Sequence, residues 1–583
     1  MTGCTSIAQS HQFTAAACST FAEPHDTTGP CAPNARQIAN PGPVIWFTGD
    51  VSVAFVDNNG LVTAAQSGLT TVSARLARIV SSPVNFTSCM PIEIRLHVQG
   101  SPNESATMTP SQALTLQTDM TDANGTVTNN VSMLVASDYP TVASVAGLTV
   151  TANTIGGAGI LAGCTPPICG KGLNTPVYSN LFPVSVPGTS PAPMVYASSS
   201  FTPPPGTSPY LLSIDSSTNP PTTGKIALPG VPNSMVFAAN GAVAYLGTSA
   251  GLVKFTPSDN TVSFGNAGIL GVVLAVSADG SIAIVSNAAA DPEGNVIQPL
   301  ASRQLVWAYL QQQPDVSLTQ IVEERAVTAA TINGDDFRMY LATNDGSGNV
   351  YAFSPLSDVQ TINVAGGSGA GVAALPAGPF AYVANQGGLN FLSTCNDVQI
   401  DPLLNPPTHS NNLSFLQPVA NANTIVAVDS PGVDVETADV TSILSGNPPL
   451  PYSFSSSNCE PNVSYSNQFI DFGIGSFTAS YLAVASNGSR IVVIPAGSSK
   501  VLAAVPGPNP SVAAIPLAIG ATQAFPGGLT PDGNTLWVGT AGPSPGVHEI
   551  SLTSGSEVAQ VATSFQQSNG NPAPADIVTM RPQ

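Results

Sequence analysis

The segment GGLTPDGNTLWVG, residues 527–539, constrains this chain more than any other. Its apolar residues flank Asp532-Gly533, which predicts a strand, a tight turn and a second strand ending in Leu536-Trp537-Val538. Imperfect copies recur from about residue 194 to the C-terminus. First strand and turn pair as 234–237 with Asn240-Gly241, 273–276 with Asp279-Gly280, and 327–330 with Asn333-Gly334. The series continues as 371–374 with a turn at 376–379, then 481–484 with Asn487-Gly488. Short apolar strands follow each, among them Ala244-Tyr245-Leu246, Met339-Tyr340-Leu341 and Ala381-Tyr382-Val383. A degenerate copy lies at 416–428. A period of about 40 residues with four short strands per unit is the mark of a β-propeller.

Composition agrees with many short strands. The 583 residues include 53 Gly and 53 Pro, which break helices, and 43% are hydrophobic, too many for a disordered chain. The chain ends predict ring closure. Residues 576–580 read as a first strand lacking partners, and 194–197, 210–213 and 225–228 read as three partners lacking a first strand. Pairing them protects the sheet edges. Ala381-Tyr382-Val383-Ala384-Asn385 resembles the YVTN motif of the bacterial surface-protein propeller family, and Thr223-Gly224-Lys225-Ile226 is similar to that family's outer-strand turn. The resemblance covers roughly residues 194–582.

A different pattern precedes the propeller. Residues 45–76 read IWFTGDVSVAFVDNNGLVTAAQSGLTTVSARL, with period-2 alternation around a turn at Asn59-Gly60. Trp46, Asp50, Val53, Ala54, Val56, Asp57, Gly60, Val62, Thr63, Ala64 and Gly68 make it resemble the bacterial Ig-like domain, group 2. The chain departs from that family by a hairpin at 78–89 before the strand 92–96. Residues 135–152 repeat the pattern, with Leu134 or Val135 in the place of Trp46. The expected fold class is all-β: two Ig-like β-sandwiches, 1–98 and 99–188, then a linker at 189–193. A seven- or eight-bladed β-propeller follows at 194–583, closed by pairing of its N- and C-terminal strands. The count is seven if residues 389–472 form one blade.

Charge narrows the function. The net charge is −20, from 13 Lys and Arg against 33 Asp and Glu, which argues against a nucleic-acid partner. No apolar run approaches the ~20 residues of a membrane helix. His11, His25, His97, His409 and His548 show no ligand spacing, and no GxSxG is present. The three Trp are too few for the repeated blade motifs of a quinone-type propeller dehydrogenase. The turn residues Asp335-Asp336 and Asn344-Asp345 read as turn chemistry rather than calcium loops. Glu323-Glu324-Arg325 reads as a solvated strand end. Matches to the glycosylation sequon, such as Asn85, Asn103 and Asn487, read as chance in a chain rich in Asn, Ser and Thr. Catalytic, cofactor and metal residues are therefore expected to be none.

The eight cysteines form no CxxC, which favours paired disulfides of an oxidising compartment over free buried thiols. Cys18–Cys31, Cys164–Cys169 and Cys395–Cys459 would each pin an inserted loop, leaving Cys4 with Cys89. Eight cysteines allow 105 pairings, so connectivity stays open. No signal peptide is visible, and Met1 stands close to a first strand, as in a trimmed chain or one with a mis-set start. Thr2-Gly3-Cys4 is similar to the end of a lipobox but lacks the apolar stretch before it.

These readings predict an exported, non-catalytic protein of the cell surface, surroundings or periplasm. The Ig-like pair would be a stalk and the propeller a head that binds a protein or glycan of the envelope. A metal-dependent, lactonase-like hydrolase would instead gather several Asp, Glu, Asn or His side chains at one channel mouth. A structural envelope component would assemble into arrays.

Overall fold

The computed structural model describes residues 4–19, 31, 37–39, 42–122, 124–128, 133–164, 169, 177–266, 268–287, 304–311, 316–323, 327–332, 339–343, 348–354, 357–364, 369–375, 380–385, 388–393, 398–399, 413–439, 464–518, 520–543 and 545–582. Every regular element among them is a β-strand. No helix is long and apolar enough to cross a membrane.

Residues from 194 onward form a β-propeller. Among the described residues it has eight four-stranded antiparallel sheets. Their first strands are Pro232–Phe237, Val272–Val276, Val327–Ile332, Gly369–Ala374, Leu413–Pro418, Ala479–Val484, Gln523–Leu529 and Ile577–Met580. Each first strand lies against that of the next sheet, and Ile577–Met580 lies against both Gln523–Leu529 and Pro232–Phe237. The last strand of the chain pairs with Met194–Ser198, Val195 opposite Met580 and Ser198 opposite Ile577. The stretch 389–472 is divided between two sheets, one ending at Val398–Gln399 and the next running from Leu413–Pro418 to Ser464–Asp471.

The repeat works through turn chemistry and one aromatic position. Gly241, Gly280, Gly488 and Gly533 follow the first strands with φ of 64°, 79°, 71° and 71°, where a Cβ would be strained. The residue before each glycine accepts from the backbone two positions on, as Asp279 Oδ1 does from Ser281 N at 2.8 Å and Asp532 Oδ1 from Asn534 N at 3.0 Å. In the second strands Tyr196, Tyr245, Tyr340, Tyr382 and Trp537 are all buried, filling the wedges between sheets. Tyr245 also donates to the Gly280 carbonyl of the next sheet's turn at 3.0 Å. Each wedge joins neighbouring sheets, as Ile282 and Ile284 pack with Met339 and Leu341.

Two further units precede the propeller, each of two sheets around a shared core. In the first, Ala54, Val62 and Ala64 of one sheet face Val72 and Phe86 of the other. Gly60, at φ 82°, lets the chain pass against the Trp46 ring, which a Cβ would strike. In the second, Leu116, Met120 and Val150 face Ile160, Phe182 and Val184. The strand Pro91–Val98 falls, by sequence, at the end of the first unit. It pairs along Ala113–Asp122, from Leu116 opposite Val98 to Asp122 opposite Pro91, within a sheet of the second unit.

Candidate functional site

The first strands surround a central cavity of about 540 Å³, within the range of small-ligand sites. Its walls are mostly apolar, with Met235, Phe237, Ile332, Leu375 and Leu529 among them. The second two-sheet unit borders one end, where it places Asp138 and Tyr139 against the channel. The Ser190 N–H donates to Asp532 Oδ2 at 2.8 Å, and Gly157 N–H to Ser486 Oγ at 2.9 Å. Asn421 Nδ2 donates to Ser185 Oγ at 3.2 Å, and Leu181 packs among Leu375, Leu413 and Ile425. Asp532, Ser486, Asn421 and Leu375 all lie just after first strands.

The strand Gly156–Cys164 makes this approach possible. Ala158 and Ile160 face the core of their own unit. Gly157 and Gly159 face the propeller, where a Cβ would stand 2.7 Å from the Asn421 side chain and 2.6 Å from the Ala420 carbonyl oxygen. The equivalent positions of the first unit are Leu69 and Thr71, and Leu69 is 64% exposed. The two repeats thus differ where one of them docks. That contrast, GLTT against GGAG, was the signal for the docking surface in the sequence.

Among the described residues, Asp138 is the one carboxylate that borders the cavity. Its Oδ1 accepts from Gly159 N at 2.6 Å, while Oδ2 is buried with no hydrogen-bond partner. Burial holds its pKa well above the ordinary carboxylate value. Tyr139 beside it is pushed up to about 12 by burial and by that carboxyl group. Tyr481 is raised too, mainly by burial, and donates to the Gly527 carbonyl at 2.6 Å. Among the described residues no group of three or more His, Cys, Asp or Glu is placed to hold a metal.

At the other ends of the strands lies a groove of about 550 Å³ between the sheets whose first strands are Gln523–Leu529 and Ile577–Met580. Phe201, 42% exposed, and Phe525 line it with Gln523, Gln567 and Asp576. Asp576 Oδ1 accepts from Ser200 N at 2.8 Å, and its other oxygen from the Ser200 hydroxyl, which fixes the loop that carries Phe201.

Two polar clusters lie inside the sheets. His548 Nδ1 stands 2.9 Å from Glu557 Oε1, and its Nε2 stands 2.9 Å from Thr540 Oγ1. Thr540 and His548 are 0% and 1% exposed, and the row joins three strands of one sheet. No spacing pattern marks it, because its members meet only across the register. The second cluster is Asp434, Glu436 and Asn467. Burial first, then Asp434, push Glu436 up to about 8 against the Asn467 hydrogen bond.

The cysteines form three disulfides among the described residues: Cys4–Cys89, Cys18–Cys31 and Cys164–Cys169. Cys4–Cys89 lies at the junction of the two N-terminal units, where Asn124 Nδ2 of the second unit donates to the Cys4 carbonyl at 3.1 Å. Cys395 and Cys459 lie outside the described residues, as do Asp335, Asp336, Asn344, Asp345, Glu324 and Arg325 and the turns at Asn333-Gly334 and 376–379.

No protein-family model and no curated protein matches the chain. The likenesses to the Ig-like and YVTN families therefore rest on the residues named above. Solved structures similar to it include the dihydro-heme d1 dehydrogenase NirN in complex with DHE, at 12% identity and TM-score 0.44, over 67% of this chain and 75% of that one. The Pseudomonas aeruginosa periplasmic gluconolactonase PpgL is similar at 13% identity and TM-score 0.39, over 57% and 94%. The β-propeller domain of Myceliophteria thermophila Cps50 is similar at 8% identity and TM-score 0.39, over 53% and 93%.

Proposed function

We propose that this is an exported, non-catalytic binding protein whose ligand docks on the propeller face that carries Phe201 and Phe525. The eight sheets are read as eight blades of one closed ring. The two N-terminal units are read as Ig-like domains, 1–98 and 99–188, with Pro91–Val98 shared into the second and 189–193 linking it to the propeller. Disulfides support export.

One observation carries the reading. The second unit stands over one end of a mostly apolar channel, and the groove lies at the opposite ends of the strands. There the Phe201 and Phe525 rings offer flat apolar surface, and Gln523 and Gln567 offer both donors and acceptors. This combination suits a glycan or an extended peptide segment of the envelope. The second unit is then a rigid mount, and the first unit the spacer.

The test is binding of the full chain to a glycan array and capture from cell-envelope extract, each repeated with Phe201→Ala. A ligand whose affinity falls about tenfold or more in the variant supports the proposal. Full retention of binding by Phe201→Ala, or no ligand in either assay, rejects this face as the site.

A further inference from the structure

The central cavity carries a polar collar that a ligand in the Phe201 groove would not touch. Thr331, Gln417 and Thr579 all border the cavity, and each is the next-to-last residue of its first strand. Equivalent places on equivalent strands put them in one layer. They come from three sheets that are not neighbours, and the layer lies toward the end that Tyr139 borders. The Val484 N–H donates to Gln417 Oε1 at 3.2 Å, which leaves the Nε2 hydrogens for a ligand. The Ala374 N–H donates to Thr331 Oγ1 at 3.3 Å, which leaves that hydroxyl its own hydrogen. The hydroxyls of Thr579 and Tyr139 make no hydrogen bond among the described residues. Burial, then the neighbouring Asp138, push the Tyr139 pKa up to about 12, so this phenol keeps its proton.

Each of these groups can donate a hydrogen bond. Charge is absent around them. No Lys, Arg or His borders the cavity among the described residues, so an anion would lose its hydration and meet no counter-charge. Asp138 offers a cation little, because Oδ1 accepts from Gly159 N and Oδ2 is buried rather than presented to the cavity. The walls between the polar groups include Met235, Phe237 and Ile332. We propose that the cavity binds a neutral, largely apolar molecule whose carbonyl oxygen accepts hydrogen bonds from Tyr139 and this collar. Ketones, quinones and esters have that chemistry: an uncharged oxygen acceptor on a hydrocarbon body. The site is distinct from the Phe201 groove and does not depend on a ligand there.

The experiment uses the full chain and three probes of similar shape: acetonaphthone, a neutral ketone; naphthalene, a hydrocarbon; and naphthoate, an anion. Equilibrium dialysis gives stoichiometry and Kd, and thermal melts show that each variant is folded. The expected result is one acetonaphthone per chain, bound about tenfold or more tighter than naphthalene or naphthoate. Tyr139→Phe and, separately, Thr579→Val each remove one hydroxyl with little change of shape. Each should weaken acetonaphthone about fivefold, the worth of one neutral hydrogen bond, and leave naphthalene unchanged. No binding of acetonaphthone up to its solubility limit overturns the proposal. Naphthalene or naphthoate binding as tightly as the ketone overturns it too, because the collar then selects no neutral carbonyl. Acetonaphthone affinity unchanged in both variants also overturns it, because the probe then sits elsewhere.

Discussion

At the scale of single residues, the repeat marks positions where side-chain size is fixed by close approach. Gly539, in the second strand of its sheet, lies so near the Ala575 carbonyl that a Cβ would overlap it. Gly539→Ala should destabilise the propeller by roughly 2 kcal/mol or more, read as a lowered denaturant midpoint. Asp138 makes the opposite case. Its Oδ2 and the Ala420 carbonyl oxygen border one space, so a neutral hydrogen donor fits there better than an ionised carboxylate. A carboxyl with a raised folded pKa keeps its proton after the unfolded chain has released one. Its contribution to stability is therefore full below the ordinary value of 3.8 and declines as pH rises through the folded pKa. Asp138→Asn should leave stability near pH 3 unchanged and raise it at pH 7–8 by on the order of 1–3 kcal/mol. Thermal melts across pH test this, and parallel curves for the two proteins would refute it. The turn glycines were legible in the sequence, because Asn-Gly and Asp-Gly carry their conformation with them. Asp138 was not, since its burial comes from a neighbour more than 250 residues away in the chain.

At the scale of elements, alternation identifies strands and leaves their partners open. Pro91–Val98 reads PIEIRLHV, a clear strand, yet its sheet is chosen by what lies opposite. In place, His97 Nε2 stands 3.2 Å from Asp119 Oδ2, and the Leu96 backbone is held by the buried Asn180 side chain. Neither contact follows from spacing. The pairing of the two chain ends was legible because both were incomplete sheets. Removing residues 577–583 should strip Val195, Ala197 and Trp537 of the partners Val578 and Met580. The prediction is loss of cooperative unfolding in the propeller, with the N-terminal units still folded. Cys4–Cys89 spans 85 residues, and the chain-entropy model puts its stabilisation at about 4–5 kcal/mol. Cys4→Ser with Cys89→Ser should lower the first unit's melting transition and leave that of the propeller in place. A shift of both transitions together would show that the first unit and the propeller unfold as one.

At the scale of the molecule, the second unit and the propeller act as one body through a surface that requires glycine. Gly157 and Gly159 bring a strand against the turns of the propeller, with Ser190, Ser185 and Leu181 completing the contact. A flexible stalk would have exposed residues at these positions, as the first unit does at Leu69. Gly157→Val places a branched side chain onto Asn421 and the Ser486 carbonyl while keeping a residue suited to strands. Both parts should therefore fold, but apart from each other. In wild type, the segment 187–193 is held by the Ser190–Asp532 contacts, and protease should cut it slowly. In Gly157→Val, cleavage there should be at least tenfold faster and release two folded fragments. The separated propeller should then bind an apolar dye at the mouth that Tyr139 covers in the intact chain. If the Phe201 face is the binding face, ligand affinity should survive this separation, because the groove lies at the far ends of the strands. Rapid cleavage of wild type with both fragments folded would mean that the seal is weak and the channel opens from both ends.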